Sequence, residues 1–140
     1  MLSRIGVHHL LSLITALGLL GSSPLVLAGD GHSFEVVDSD AIYFGEGTHP
    51  KTPAVILCDE VWGAIPEYKK ILDDDLSDDD PKYHQLMKKA TERFQKALSK
   101  VAKREGYDMI GEEGSIAAVG EVKKEIPDAT KDLVDAVGRD

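Results

Sequence analysis

The sequence predicts an α+β fold in which a small β-sheet body carries an antiparallel helical hairpin and a C-terminal helix. The first observation is a continuous apolar run of strand length over residues 54–58. The second is a pair of apolar seams with helical spacing, joined by a short polar connection. The third is two short apolar segments followed by a closing amphipathic stretch. The predicted order is strand, helix, helix, strands and helix.

The N-terminal residues have the pattern of a secretory signal peptide. Residues 5–20 are mostly apolar and follow a single basic residue, Arg4. Val26 and Ala28 then occupy the minus-three and minus-one positions of a cleavage site. We therefore expect residues 1–28 to be removed during export, with the cut after Ala28.

An uncleaved membrane anchor is the alternative for this segment, because His8 and His9 weaken its apolar region. The rest of the chain has no second apolar segment long enough to span a bilayer. The sequence thus predicts an exported, soluble protein.

The charge of the chain is acidic overall but unevenly distributed. The formal net charge is −9 at pH 7, and loss of Arg4 with the leader makes the mature chain more negative still. This balance argues against general nucleic-acid binding, which needs a basic surface. Residues 82–105 are the exception, because this segment contains eight basic residues and only two acidic ones.

Cys58 is the only cysteine, so the exported chain has no internal disulfide framework. Its position at the end of an apolar run suggests a small buried apolar residue. The alternatives are an intermolecular bridge or a reactive thiol. No nearby histidine or asparagine pattern supports a nucleophile.

The first elements follow from turn residues and from the apolar run. Residues 29–53 are rich in turn formers and predict an irregular N-terminal segment, with short strands around 34–37 and 41–44. Residues 54–58 then read as a strand buried on both faces. We place the main domain at residues 54–138, with the hairpin at about 61–105.

The first helical pattern opens at Asp59 or Glu60, and its regular part is expected to begin at Pro66. It ends in a run of aspartates. Its apolar positions recur at spacings of four, three and four residues, which is typical of a coiled-coil seam: Val61, Ile65, Tyr68 and Leu72.

The second helix has the clearest signals in the sequence. Asp80 is a favourable N-cap, Pro81 a favourable first residue, and Gly106 a favourable stop. Its apolar seam alternates spacings of four and three, and consists of Tyr83, Met87, Ala90, Phe94, Ala97 and Val101, widened by Leu86, Leu98 and Ala102. Together the two seams predict an antiparallel hairpin.

The last part of the chain predicts two short strands and a helix. The segments "YDMI" and "SIAAVG" read as strands separated by the turn "GEEG". Asp128 is expected to cap the final helix and Gly138 to end it. Leu133, Val134 and Val137 form its apolar face.

We tested the stretch "ILDDDLSDDDPK" for calcium binding. A calcium loop of the EF-hand type needs glycine at its sixth position and glutamate at its twelfth. Starting at Asp73 these positions hold Asp78 and His84, and starting at Asp75 they hold Asp80 and Leu86. Both registers fail, so the stretch is interpreted as a solvated hairpin tip, with weak divalent binding as the alternative.

Other catalytic and cofactor patterns were not found in the sequence. The histidines of the mature chain, His32, His49 and His84, have no paired spacing, and the chain has neither a nucleophile elbow nor a phosphate loop. We therefore predict no enzyme, no catalytic residues, no cofactor and no dedicated metal site.

We expect the N-terminal half of the second helix to extend past its shorter partner and to present a mixed apolar and basic surface. Tyr83, Leu86 and Met87 there lie beside the basic residues Lys88, Lys89 and Arg93. Such surfaces bind acidic or partly unfolded chains, membrane headgroups or another copy of the protein. The alternative is that the apolar residues are ordinary seam residues.

Two segments resemble the Skp/OmpH family of periplasmic chaperones. "AVILCDEVWGAIPEYKKI" is similar to the family's opening, where a buried strand leads through a bend into a long helix. "ALSKVAKREGYDMIGEEGSIAAVG" is similar to the return, where a basic helix ends before two strands. "IPDATKDLVDAV" resembles the closing segment less closely. The matches cover about residues 54–137.

The resemblance implies a periplasmic homotrimer with a small sheet body and projecting helical hairpins, or tentacles, that hold unfolded outer-membrane proteins without ATP. It places the trimerisation body at residues 54–57 and 109–119, with Val55, Ile56, Leu57, Met109, Ile110, Ile116 and Val119 as candidate residues. It places client binding on the hairpin face, with Ile65, Tyr68, Leu72, Tyr83, Leu86, Met87, Lys88, Lys89 and Arg93 as candidates.

This chain departs from the family in three respects. The family carries dozens more residues in the tentacle, whereas here that segment is shortened to the aspartate tip. Family members are basic overall, whereas this chain is acidic. Residues 29–53 have no counterpart in the resemblance.

Three hypotheses follow. The first is a short-armed holdase-type chaperone that binds unfolded outer-membrane polypeptides, with membrane contact at most peripheral. The second is a trimeric structural or assembly subunit of the cell envelope that has lost client binding. The third is a small acidic cation-binding protein that uses the aspartates.

Overall fold

The computed structural model describes residues 31–121 and 123–139. The predicted signal peptide, residues 1–28, lies outside them. Within the described residues the fold is α+β, as predicted. The described residues form the strands β1 (Phe34–Val36), β2 (Ile42–Phe44), β3 (Pro53–Ile56), β4 (Met109–Glu112) and β5 (Ile116–Ala118). They also form the α-helices α1 (Cys58–Ala64), α2 (Pro66–Asp73), α3 (Pro81–Glu105) and α4 (Thr130–Gly138).

The strands form two small sheets. In the three-stranded sheet, β4 lies between β2, to which it is antiparallel, and β3, to which it is parallel. The β3–β4 register runs from Pro53 opposite Met109 to Ile56 opposite Glu112. In the second sheet, β1 pairs with β5 antiparallel. The two segments "YDMI" and "SIAAVG" are therefore neighbours in sequence that pair with different partners.

The described part of the predicted N-terminal segment, residues 31–53, contributes two strands to the sheets of the domain that was predicted to start at residue 54. Strand β1 pairs with β5 and strand β2 with β4, so the strands of this segment pair directly with strands from the C-terminal third. Phe34 of β1 is buried against Met109 and Ile116 in a small core of its own. The structural unit accordingly begins near His32.

The first helical pattern is broken into α1 and α2 at Ile65, whose backbone is extended. Pro66 starts α2, as predicted. Within this helix Ile71 is buried, whereas Leu72, which the predicted seam placed inside, is 60% exposed. The predicted seam is wrong at this position, because the residue three positions after Tyr68 faces the core and the residue four positions after it does not.

Helix α3 has the predicted limits. Asp80 accepts a hydrogen bond from the Lys82 N–H, Pro81 is the first helical residue, and Gly106 ends the helix in a left-handed conformation with φ of 77°. The predicted seam is buried along its C-terminal part, at Ala90, Phe94, Ala97, Leu98, Val101 and Ala102. These residues, with α1, α4 and the three-stranded sheet, form the main core.

Helix α4 starts two residues after the predicted cap. Ala129 occupies the N-cap position, while Asp128 Oδ1 accepts a 2.9 Å hydrogen bond from the Thr130 N–H. The Thr130 hydroxyl in turn accepts a 2.9 Å hydrogen bond from the Leu57 N–H. The start of α4 is thus attached to the chain between β3 and α1.

The aspartate stretch forms the tip of the α2–α3 hairpin. Lys82 Nζ lies 2.6 Å from Asp74 Oδ2, and this exposed ion pair joins the end of α2 to the start of α3. Asp75 turns the chain with a positive φ of 49°. None of the helices in the described part of the chain is long and apolar enough to cross a membrane.

Candidate functional site

The candidate site is an open groove of about 600 Å³ between the base of the hairpin and the three-stranded sheet. We call it the aromatic groove. Its walls come from β2, α1, α2, α3 and β4, so residues far apart in sequence meet there. Its side chains are Tyr43, Cys58, Asp59, Trp62, Tyr68, Leu72, Met87 and Glu112.

Three aromatic rings of the groove are held by packing around Phe94. The ring centroid of Trp62 lies 5.3 Å from that of the buried Phe94. The ring centroid of Tyr43 lies 5.8 Å from that of Phe94, and these two rings meet edge to face. Tyr68 contacts Trp62 edge to face at 5.5 Å. Because these contacts link β2, α1, α2 and α3, the aromatic wall is preformed.

Glu112 provides a fixed carboxylate at the sheet end of the groove. The Tyr43 hydroxyl donates a 3.1 Å hydrogen bond to Glu112 Oε2, and the Cys58 backbone N–H donates to the same oxygen at 3.1 Å. Burial raises the pKa of Tyr43 well above its ordinary value, and its contacts with Cys58 and Glu112 add to this shift. Tyr43 therefore stays protonated and acts as a donor.

The Cys58 thiol lies at this same end of the groove and is half-buried. Burial raises its pKa above the ordinary value; the Tyr43 hydroxyl opposes the shift, and the negative charge of Glu112 reinforces it. Since the thiolate is the nucleophilic form, a raised pKa makes the thiol less reactive. The geometry favours a lining role for Cys58 over the reactive-thiol alternative.

The other face of the hairpin is polar and has a structural contact at its centre. Arg93 on α3 donates two hydrogen bonds of 2.9 Å to the two carboxylate oxygens of Glu67 on α2. It also donates a 3.3 Å hydrogen bond to the Val137 carbonyl near the end of α4. Arg93, a candidate for client binding, instead joins three helices.

We expect Glu67→Gln to lower the free energy of unfolding by about 1–2 kcal/mol at pH 7, because both groups of the pair are mostly shielded from water. The hydrogen bond from Arg93 lowers the pKa of Glu67 below its ordinary 4.5. Because the pKa of Glu67 is lower in the folded state than in the unfolded chain, its ionisation stabilises the fold at pH values above the unfolded-state pKa. This stabilisation is lost as the pH falls through the folded-state pKa.

Urea unfolding at several pH values measures this effect. The difference in free energy of unfolding between wild type and Glu67→Gln should be constant from neutral to mildly acidic pH. It should then shrink as the pH falls below the ordinary pKa of glutamate. Glu60→Gln, at an exposed position of α1, is the matched control. A difference that persists unchanged in acid would contradict the assigned role of the pair.

The client-binding candidates divide into three groups. Tyr68, Leu72 and Met87 line the aromatic groove. Tyr83 and Leu86 are half-buried nearer the tip, while Lys88 and Lys89 are exposed. Ile65 and Arg93 are placed differently from the prediction, because Ile65 is fully buried in the core and Arg93 is bound to Glu67.

The apolar and basic residues of the predicted mixed surface therefore lie on two different surfaces. Lys89, Arg93 and Lys96 line a smaller cavity of about 250 Å³ with Glu67 and Glu92, and none of them lines the aromatic groove. Met87 and Lys89 are two residues apart, about 200° around the helix, so they cannot share a face. The apolar surface is acidic at its rim, and the basic residues lie elsewhere.

The candidates for the predicted trimerisation body differ in accessibility within the chain. Val55, Leu57 and Val119 are half-buried, so part of each side chain is accessible. The others are buried in the two cores of the chain itself: Ile56, Met109, Ile110 and Ile116. These four residues stabilise the fold from within and present little surface.

Sequence reasoning did not select Tyr43, Trp62 or Glu112 as site residues. Tyr43 and Glu112 are 69 positions apart and meet through the antiparallel pairing of β2 with β4. The single tryptophan was the available signal, because tryptophan is usually largely buried but rarely fully buried. The rings of His32 and His49 are also stacked, with their centroids 4.1 Å apart.

No group of three or more histidine, cysteine, aspartate or glutamate side chains within residues 31–121 and 123–139 is arranged to hold a metal ion. Among the same residues, each buried side-chain nitrogen or oxygen atom has a hydrogen-bond partner.

Comparison of the chain with protein-family models, with curated proteins and with solved structures found no match.

Proposed function

We propose that this protein is a periplasmic holdase-type chaperone that binds segments of unfolded outer-membrane proteins in the aromatic groove, without enzymatic activity. The observation that carries this proposal is the groove itself, an open apolar surface on the predicted client-binding hairpin. Exposed apolar patches bordered by polar residues mark interaction sites in soluble proteins. The resemblance to the Skp/OmpH family supplies the class of client.

The groove has the properties that weak, adaptable polypeptide binding requires. Leu72 is 60% exposed, although it is a large apolar residue. Met87 adds a flexible side chain that adjusts to different partners. Trp62 and Tyr68 add rigid apolar area that loses little entropy on binding. The volume of about 600 Å³ lies within the usual range of binding sites.

The length of the hairpin sets the mode of holding. None of the described residues 81–89 is buried, and burial on α3 begins at Ala90. The arm, meaning the part of α3 without a buried residue, is thus nine residues of helix, or about 13 Å. An arm of this length holds one segment of a client and does not enclose a whole barrel.

We further propose that the protein is a homotrimer assembled through its sheet body. The half-buried Val55, Leu57 and Val119 provide apolar surface for such contacts. Light scattering of the mature protein measures its mass directly. A mass of three chains supports the proposal, and a monomer at micromolar concentration contradicts it.

Aggregation of an unfolded outer-membrane barrel, diluted from urea, tests the holdase proposal. We expect the wild-type mature protein to suppress light scattering by the client, and Leu72→Asp to lose most of this effect. The exposed position of Leu72 means that the substitution leaves the fold intact.

Val37→Asp is the matched control, because Val37 is also 60% exposed and lies outside the groove. It makes the same kind of change, from an exposed aliphatic side chain to a carboxylate, and should retain full suppression. The proposal fails if wild type leaves aggregation unchanged, or if the two variants behave alike.

A further inference from the structure

We infer that the aromatic groove selects polypeptide segments in which a lysine or arginine is flanked by apolar residues. This inference rests on the proposed function and specifies the chemistry of the segment. The basic side chain would lie at the sheet end of the groove, beside Glu112, Asp59 and the aromatic rings. The apolar neighbours would lie toward Leu72 and Met87.

The charge of the groove is the first argument. Asp59 and Glu112 both line it, whereas none of its described lining residues is basic. The hydrogen bonds to the Glu112 carboxylate come from the Tyr43 hydroxyl and the Cys58 N–H, which are neutral donors. They fix the carboxylate in place and leave its negative charge to attract a cation. Apolar walls strengthen that attraction by lowering the local dielectric constant.

The aromatic rings are the second argument. A lysine or arginine side chain is attracted to the face of an aromatic ring, and most strongly to tryptophan. Trp62, Tyr43 and Tyr68 provide three such rings in one groove, held by their contacts with one another and with Phe94. Carboxylates beside aromatic rings together form a site for a cation with an apolar stem.

The extent of the groove argues for a polypeptide over a free small cation. Leu72 and Met87 continue the lining along the hairpin, away from the carboxylates. A small cation would leave these side chains uncovered. A basic residue with apolar neighbours in the same chain would use both ends of the groove.

The test uses three dye-labelled peptides that are identical except at one central position, which is arginine, glutamine or glutamate between apolar residues. We expect the arginine peptide to bind the wild-type protein about 10-fold more tightly than the glutamine peptide, and the glutamate peptide to bind most weakly. Fluorescence anisotropy measures the three affinities. The preference should diminish as salt is added.

Variants assign the preference to the groove. In Asp59→Asn/Glu112→Gln the preference for arginine should fall to less than about 3-fold. Glu60→Gln/Glu113→Gln is the matched control, because it removes two neighbouring exposed acids that do not line the groove. It should keep the full preference. Asp59→Asn alone, at an exposed position, provides a milder variant that should show a partial loss.

The outcomes separate this inference from the proposed function. Equal affinity for the three peptides, with client aggregation still suppressed, overturns the selectivity and leaves the holdase proposal standing. Failure of the wild type in the aggregation assay overturns the holdase proposal itself. Tight binding of N-acetyl-arginine amide, equal to that of the arginine peptide, overturns the choice of a polypeptide as the occupant.

Discussion

We expect Phe94→Ala to lower the free energy of unfolding by about 3–5 kcal/mol, the largest effect of any single substitution considered for this protein. Phe94 is 6% exposed and contacts the rings of both Tyr43 and Trp62. Its removal leaves a cavity between α3, α1 and β2 that these rings fill only in part. Small domains have a total stability of about 5–15 kcal/mol, so the loss is a large fraction.

Urea unfolding followed by circular dichroism measures this loss. Gln95→Ala, at the next and exposed position of α3, is the control and should change the stability by less than about 0.5 kcal/mol. A loss below about 1 kcal/mol in Phe94→Ala would contradict the position of Phe94 at the centre of the core.

The second large effect is expected for Gly45→Ala, with a loss of about 2–4 kcal/mol. Gly45 follows β2 and has a φ of +91°, which side-chain-bearing residues rarely adopt. A Cβ atom there would also collide with the Asp108 carbonyl oxygen and lie 3.0 Å from Met109 Cα. Both contacts are with backbone, so relief requires movement of the chain that enters β4.

Gly47→Ala separates the two causes. Gly47 has a similar φ of +99°, but a Cβ atom at this position meets nothing within 4 Å. It should cost about 1–2 kcal/mol through backbone strain alone. Equal losses in the two variants, measured by urea unfolding, would mean that the close approach of Gly45 to β4 contributes nothing.

Local signals in the sequence were sufficient to predict helix α3. An N-cap at Asp80, proline at the first helical position and glycine at the stop each act within one turn of the helix. The apolar residues from Ala90 to Ala102 repeat with the helical period, so their burial could be predicted as well. Local chemistry and tertiary packing agree in this element.

Elements that depend on distant partners could not be predicted in the same way. The pairing of β4 with β3 and β2, and of β5 with β1, joins segments separated by more than fifty residues. Short strands of three or four residues carry no local signal for the choice of partner. The burial of Ile71 in place of Leu72 depends on how α2 packs against the core, because both residues lie one helical turn after Tyr68.

Only part of the candidate site could be predicted, because some of its residues are brought together by distant strand pairing. Tyr68, Leu72 and Met87 lie on the predicted hairpin, and the groove includes all three. Tyr43 and Glu112 reach the groove from the sheet, whose topology the sequence did not reveal. Separation of the basic residues from the apolar groove could have been anticipated from the helical positions of Met87 and Lys89.

The separation of the basic residues from the groove changes the kind of client that we propose for this protein. A surface in which lysines surround apolar residues would attract acidic segments. Here Arg93 is bound to Glu67, and the groove carries Asp59 and Glu112 at its rim. The acidic charge of the whole chain, −9, acts in the same direction. Basic segments of a client would therefore be attracted at long range and held at short range.

The central claim is that an unfolded polypeptide occupies the aromatic groove, and the emission of Trp62 tests it most directly. Trp62 is the only tryptophan of the chain and lines the groove, so a tryptophan-free client leaves its signal unobscured. On addition of this client, we predict a shift of the emission to shorter wavelength and weaker quenching by acrylamide. If sedimentation shows the client bound while emission and quenching stay unchanged, the client binds elsewhere and the claim is wrong.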